Sequence, residues 1–138
     1  MSESPRLVID TNWLLDLWVF DDPRARPLRA ALEAGALRWL ASAPMRAEFE
    51  RVLGYPLVAR RWLADGRAPV ELLAEFERRV EWAEAAPRAP VRCADPDDQV
   101  FIDLALAQRA TLLSKDKAVL ACAKRLRALG VTVQPHWP

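Results

Sequence analysis

Residues 95–116 read DPDDQVFIDLALAQRATLLSKD: a knot of acids opens the stretch and another acid, Asp116, closes it. Asp10, at the end of RLVID, and Glu48, within MRAEFERVL, extend the set along the chain. Carboxylates in such places can do two things. They can cap helices, accepting free N–H groups of the first turn and facing the positive end of the helix dipole. They can also bind hard divalent cations such as Mg²⁺ or Mn²⁺, which take oxygen ligands and need neither Cys nor His. DPDD reads well as a helix start, with Asp95 as cap and Pro96 at the first helical position, and capping accounts for Asp95 and Asp97. By the same logic Ser114 can cap the following helix, with Asp116 in its first turn.

Capping alone strains at the third repetition. Asp10, Asp98 and Asp116 each stand at the carboxyl end of an expected strand or at the mouth of the next helix, the edge where open α/β sheets bind ligands. Carboxylates gathered there repel one another, by about 4 kcal/mol per pair at a separation of about 4 Å and an effective dielectric near 20. A bound divalent cation removes that conflict. A fourth acid is expected from the helix carrying Glu48 and Glu50, which point about 200° apart, so at most one faces the site. Met45, Phe49, Val52 and Leu53 mark the buried face, and Glu48 flanks it.

The elements that would position these acids follow from the apolar pattern. RLVID (6–10) reads as a strand and TNWLLDLWVF as a buried helix; ARPLRAALEAG is a second helix and ALRWLAS a second strand. The helix over MRAEFERVL runs to the GYP turn at 54–56, and 57–86 is helical, with PVELLAEFERRVEWAEA as one amphipathic segment. A third short strand is expected within PRAPVRCA (87–94). A helix from about 96, the strand TLLS (111–114), a helix over KDKAVLACAKRLRALG and a last strand VTVQ complete the chain. Strands alternating with helices imply one α/β domain, residues 1–138, with a central, mostly parallel sheet of four to five strands covered on both faces.

Composition narrows the function. The chain has 138 residues, is 52% hydrophobic and carries a formal net charge of +1, so it is expected to be globular and any nucleic-acid contact must be local. Its single histidine, His136, would have to carry any Ser-His-Asp or Cys-His mechanism, and a His-rich zinc site is excluded. Cys93 and Cys122 lack metal spacing and read as reduced core thiols. MSESPR leads straight into a strand and every apolar run is broken by charge, so neither a signal peptide nor a membrane span is expected, and the expected compartment is the cytoplasm.

LVIDTN, EFERVL and DDQVFIDLALAQRATLLSKD together resemble the PIN-domain ribonucleases, and more narrowly the bacterial PIN proteins that are toxins of toxin–antitoxin pairs. In that pattern Asp10 belongs to D-T-N, and Glu48 stands five residues before a helix Leu, Leu53. Asp98 opens a helix with Ala105 seven residues on, and Asp116 closes a T-x-D some 18 residues past Asp98. Ser114 replaces the usual Thr, and residues 57–90 match nothing specific. The resemblance implies a three-layer α/β/α fold, dependence on Mg²⁺ or Mn²⁺, cleavage of single-stranded RNA, and often a homodimer bound to a cognate antitoxin protein.

Residue chemistry agrees. Asp10, Asp98 and Asp116 would hold metal directly or through water, and Glu48 would complete the shell or orient the attacking water. Asn12 and Ser114 suit support of those acids or contact with a phosphate. Arg46, Arg51, Lys115 and Lys117 are candidate RNA contacts. Trp13 and Trp18 have core spacing, and Trp62 is a candidate for an interface. A phosphatase of the haloacid-dehalogenase type needs an acid two residues after its nucleophilic Asp, where Asn12 stands. A non-catalytic PIN module binding RNA or a protein would be marked by loss of acids, and all four are present.

Overall fold

In Arg6–Ile9 (β1) the three apolar residues are all buried, the requirement for a strand with neighbours on both sides and helices on both faces. The computed structural model describes residues 4–137. β1 pairs in parallel with Arg38–Ala41 (β2) on one side and Thr111–Leu113 (β4) on the other. Glu81–Trp82 (β3) adds to β2, and Val133–Gln134 (β5) adds to β4. The result is a five-stranded parallel sheet in the order β3-β2-β1-β4-β5, flanked by helices in the expected α/β/α arrangement.

Thr11–Trp18 (α1) and Arg26–Glu33 (α2) connect β1 to β2. Ala43–Leu53 (α3), Pro56–Ala64 (α4) and Pro69–Arg79 (α5) lie between β2 and β3. Gln99–Gln108 (α6) precedes β4, and Lys117–Leu120 (α7) with Ala123–Ala128 (α8) lead to β5. Trp39, Phe49 and Phe76 are fully buried where β2, α3 and α5 meet, with ring centroids 4.7 Å apart for Trp39–Phe76 and 5.7 Å for Phe49–Phe76. Trp13 and Trp18 are core residues, as their spacing predicts. No helix among the described residues is long and apolar enough to cross a membrane.

The third strand is not where the sequence reading puts it. The α5 helix stops at Arg79; Val80, β-branched and extended at ψ 144, turns the chain so that Glu81 and Trp82 pair with Leu40 and Ala41. Arg38 and Glu81 add an ion pair across the two strands at 2.6 Å. In 87–94 side chains of α6 take the backbone bonds a ladder would use. Ala89 N–H donates to Asp103 at 2.8 Å, Cys93 N–H to Gln99 Oε1 at 2.7 Å, and Gln99 Nε2 to the Val91 carbonyl at 2.9 Å. The expected final helix is likewise divided into α7 and α8 at Ala121–Cys122.

Candidate active site

β1 and β4 lie side by side, so their next residues emerge together at the centre of the sheet's carboxyl edge. The Asp10 N–H donates to the Leu113 carbonyl at 3.0 Å, extending the ladder by one step. There the chain leaves β1 for one side of the sheet and reaches β4 on the other, the switch point at which parallel sheets open a crevice. Asp10 caps α1: its Oδ1 accepts from the Asn12 N–H at 3.0 Å. Its Oδ2 accepts from the Ser114 hydroxyl at 2.6 Å, and both residues are buried.

Ser114 is not the cap that the sequence suggests. Asp116 caps α7, its Oδ1 accepting from the N–H groups of Ala118 at 2.8 Å and Val119 at 3.3 Å. The Ser114 oxygen accepts from the Asp116 N–H at 3.2 Å while its hydroxyl donates to Asp10. One hydroxyl thus ties the strand-end acid to the backbone of the helix-cap acid.

Asp98 differs from both. It sits where the short 3₁₀ turn Pro96–Asp98 passes into α6, makes no capping bond, is 8% exposed, and its Oδ2 is buried without a hydrogen-bond partner. A buried oxygen of this kind costs about 1–3 kcal/mol unless something else satisfies it. Burial, then the charges of Asp10 and Asp116, push the Asp98 carboxyl up to about 7. Glu48 on α3 is likewise pushed up to about 7, by burial and then by Asp10. Burial also raises Asp10, against the lowering effect of its bonds to Ser114 and Asn12. Asp95 caps the 3₁₀ turn, its side chain accepting from the Asp97 N–H at 3.0 Å, as the sequence predicts.

Asp10, Glu48, Asp98 and Asp116 all line one cavity of ≈ 550 Å³, together with Asn12. Ser114, wholly buried, stands behind Asp10. Glu50 is exposed, off the cavity and 3.8 Å from Arg46, so of the two glutamates on α3 it is Glu48 that lines the cavity. Among the described residues, no three acidic, His or Cys side chains are drawn together into a ready-made metal-binding group. Asp98 is nevertheless close enough to Asp10 and Asp116 for their charges to raise it. Of the basic candidates only Arg51 lines the cavity. Arg46 is held by Glu77 at 2.8 Å, and Lys115 pairs with Asp16 and lies over the Trp13 ring. Trp62 is half-buried and donates to the Leu53 carbonyl at 2.9 Å, which ties α4 to α3.

Sequence reasoning missed one side of the cavity. Tyr55, Pro56, Leu57 and Val58, at the corner between α3 and α4, line it beside Leu15 and Val52. The available signal was the GYP turn, which places an aromatic residue directly after the helix of Glu48.

The model of the PIN domain matches residues 6–126. No curated protein matches the chain. Among solved structures, the fold is similar to a chain in the crystal structure of VapBC2 from Rickettsia felis bound to a DNA fragment from their promoter, with a TM-score of 0.61 and 12% identity. That match covers 94% of this chain and 97% of that one. With the family model spanning β1 to β4 and taking in Asp10, Glu48, Asp98 and Asp116, the chain belongs to the PIN domain family.

Proposed function

We propose that this protein is a Mg²⁺- or Mn²⁺-dependent endoribonuclease that hydrolyses single-stranded RNA, and that it is the toxin of a toxin–antitoxin pair, a cytoplasmic homodimer held by a cognate antitoxin. The carrying observation is the meeting of Asp10, Glu48, Asp98 and Asp116 on one cavity at the switch point of the sheet. The donor set fits a hard cation: it is all oxygen, and Asp98 brings a buried oxygen that no protein group satisfies. Mg²⁺ keeps several waters and takes one or two carboxylates together with substrate phosphates, which suits acids that line an open cavity.

Asp10, Asp98 and Asp116 would hold the ion. When bound, it would polarise a water and supply charge that stabilises the leaving oxygen. Ser114 and the Asn12 N–H fix Asp10 in one orientation. Glu48, near 7, is suited to orient the attacking water and accept its proton. In-line attack by a water at the scissile phosphorus, with the 3′-oxygen as leaving group, would give a 5′-phosphate and a 3′-hydroxyl. PIN domains are generally nucleases, which supports the reaction type, and the likeness in fold to a VapBC2 chain supports the antitoxin partner.

The test is incubation of end-labelled single-stranded RNA with the protein in Mn²⁺ or in EDTA. Cleavage confined to Mn²⁺, with 3′-hydroxyl ends, is the expected result. RNA retention without cleavage, unchanged in Asp98→Asn, would instead mark a non-catalytic PIN module.

A further inference from the structure

The cavity has two chemistries, and the acids account for only one. The other part of its lining is apolar: Leu15, Val52, Leu57 and the ring of Tyr55, with Arg51 among them. Tyr55 is 49% exposed and Leu57 is 73% exposed, large apolar groups that the core does not use. The backbone beneath Tyr55 is fixed. Its N–H donates to the Val52 carbonyl at 3.0 Å, its carbonyl accepts from the Ala59 N–H at 2.8 Å, and Pro56 follows at the first position of α4. Its side chain makes no capping bond; its hydroxyl is the hydrogen-bond partner of the Arg51 side chain, which sets the two residues side by side on the cavity. Arg51 forms no ion pair among the described residues, whereas Arg46, on the same helix, is held by Glu77 at 2.8 Å.

Resting on the nuclease reading, we propose that the Tyr55 ring is the stacking platform for a base flanking the scissile phosphate, with Arg51 meeting the adjoining phosphate. A nucleotide in a single strand combines what the two linings want: an anionic group to join a cation at the acids, and a flat π-face to cover an exposed aromatic ring. A paired base has its faces taken by its neighbours in the helix, so the same platform gives a physical basis for a single-strand preference. Because the corner is held by backbone bonds and a proline, little ordering is needed when the base arrives.

The test is a double-mutant cycle with a single-stranded RNA whose cleaved junction has been mapped with the wild type. The pairs are wild type and Tyr55→Ala, each on the intact RNA and on RNA with an abasic residue on one or the other side of that junction. Removing the ring or removing the base should each lower kcat/KM by about 5- to 150-fold, the span of one base on one aromatic ring. Removing both should cost no more than removing one, and Tyr55→Phe should restore the wild-type rate. Losses that multiply, an unimpaired Tyr55→Ala, or a Tyr55→Phe as poor as Tyr55→Ala would overturn the inference while leaving the nuclease intact. If the wild type cuts no RNA in Mn²⁺, the nuclease reading fails; anisotropy of a labelled single-stranded RNA in Ca²⁺ then decides the platform, with Tyr55→Ala expected to bind about 5- to 150-fold more weakly and Tyr55→Phe like the wild type, and equal binding by all three overturning it.

Discussion

The chain contains two acidic turns of nearly the same composition, DDP at 21–23 and DPDD at 95–98. Each contains a capping Asp followed by Pro and a 3₁₀ turn, with Asp22 accepting from the Arg24 N–H at 2.9 Å and Asp95 accepting from the Asp97 N–H. Their electrostatics are opposite. Asp22 is clasped by the Arg24 side chain at 2.9 Å, and that hydrogen bonding lowers its carboxyl to about 2. Asp98 is carried under the sheet edge, meets Asp10 and Asp116 instead of a cation, and rises to about 7. Local sequence sets the turn; what the turn is packed against sets the charge state. A carboxylate that folding has left without a counter-charge points to a ligand, and one that folding has paired does not.

The largest expected contrast is in RNA cleavage. Asp98→Asn should lose at least about 100-fold in kcat/KM, beyond the range usual for groups that only support a metal ligand, while Asp22→Asn cleaves like the wild type. Glu48→Gln and Glu50→Gln sharpen the same point from α3: the first should abolish Mn²⁺-dependent cleavage and the second leave most of it. Equal losses from both glutamates would show that cavity lining does not single out Glu48.

A smaller contrast lies in the pH dependence of stability in EDTA. Asp98 and Glu48 have ordinary values of 3.8 and 4.5 and are raised to about 7 by folding, so the folded protein retains protons that the unfolded chain releases. Their contribution is therefore present below about 4 and is lost as pH rises through about 7. Melting temperature should climb as pH is lowered from about 8 towards 5, and Asp98→Asn should flatten that climb. Asp22, lowered by its partner, has the opposite sign: its contribution is present above about 4 and is lost as pH falls through about 2, so Asp22→Asn should differ from the wild type above about 4 and match it in strong acid. Melts of the three proteins across that range check both signs.

The smallest effect separates capping from site chemistry within DPDD itself. Asp95→Ala should cost about 0.5–2 kcal/mol, and Asp95→Asn very little, because Asn caps as well as Asp. Denaturant titration of the two variants measures this, and a large cost for Asp95→Asn would mean that its charge, not its capping bond, is what the fold uses.

Much of the sheet was legible because β1, β2 and β4 are apolar runs closed by polar residues, and the four acids stand at fixed distances from them. What escaped depends on contacts between distant segments. β3 is two residues long and exists because Glu81 and Trp82 meet Leu40 and Ala41, a pairing no local pattern encodes. The tie from Ser114 to Asp10 needs the register of β1 against β4. Tyr55 looked like part of a turn, and only the packing of α4 against α3 brings it to the cavity.

The central claim is that Asp10 and Asp98 are gathered for a cation, and a thermal melt tests it without reference to substrate. Wild type, Asp10→Asn and Asp98→Asn are melted in EDTA and in Mn²⁺. Wild type should gain about 2.7 kcal/mol when Mn²⁺ is at a hundredfold excess over its dissociation constant. In EDTA the two variants should match or exceed it, because each removes a repelling charge, and in Mn²⁺ they should lose most of the gain. Three proteins that melt alike with and without Mn²⁺ would contradict the account.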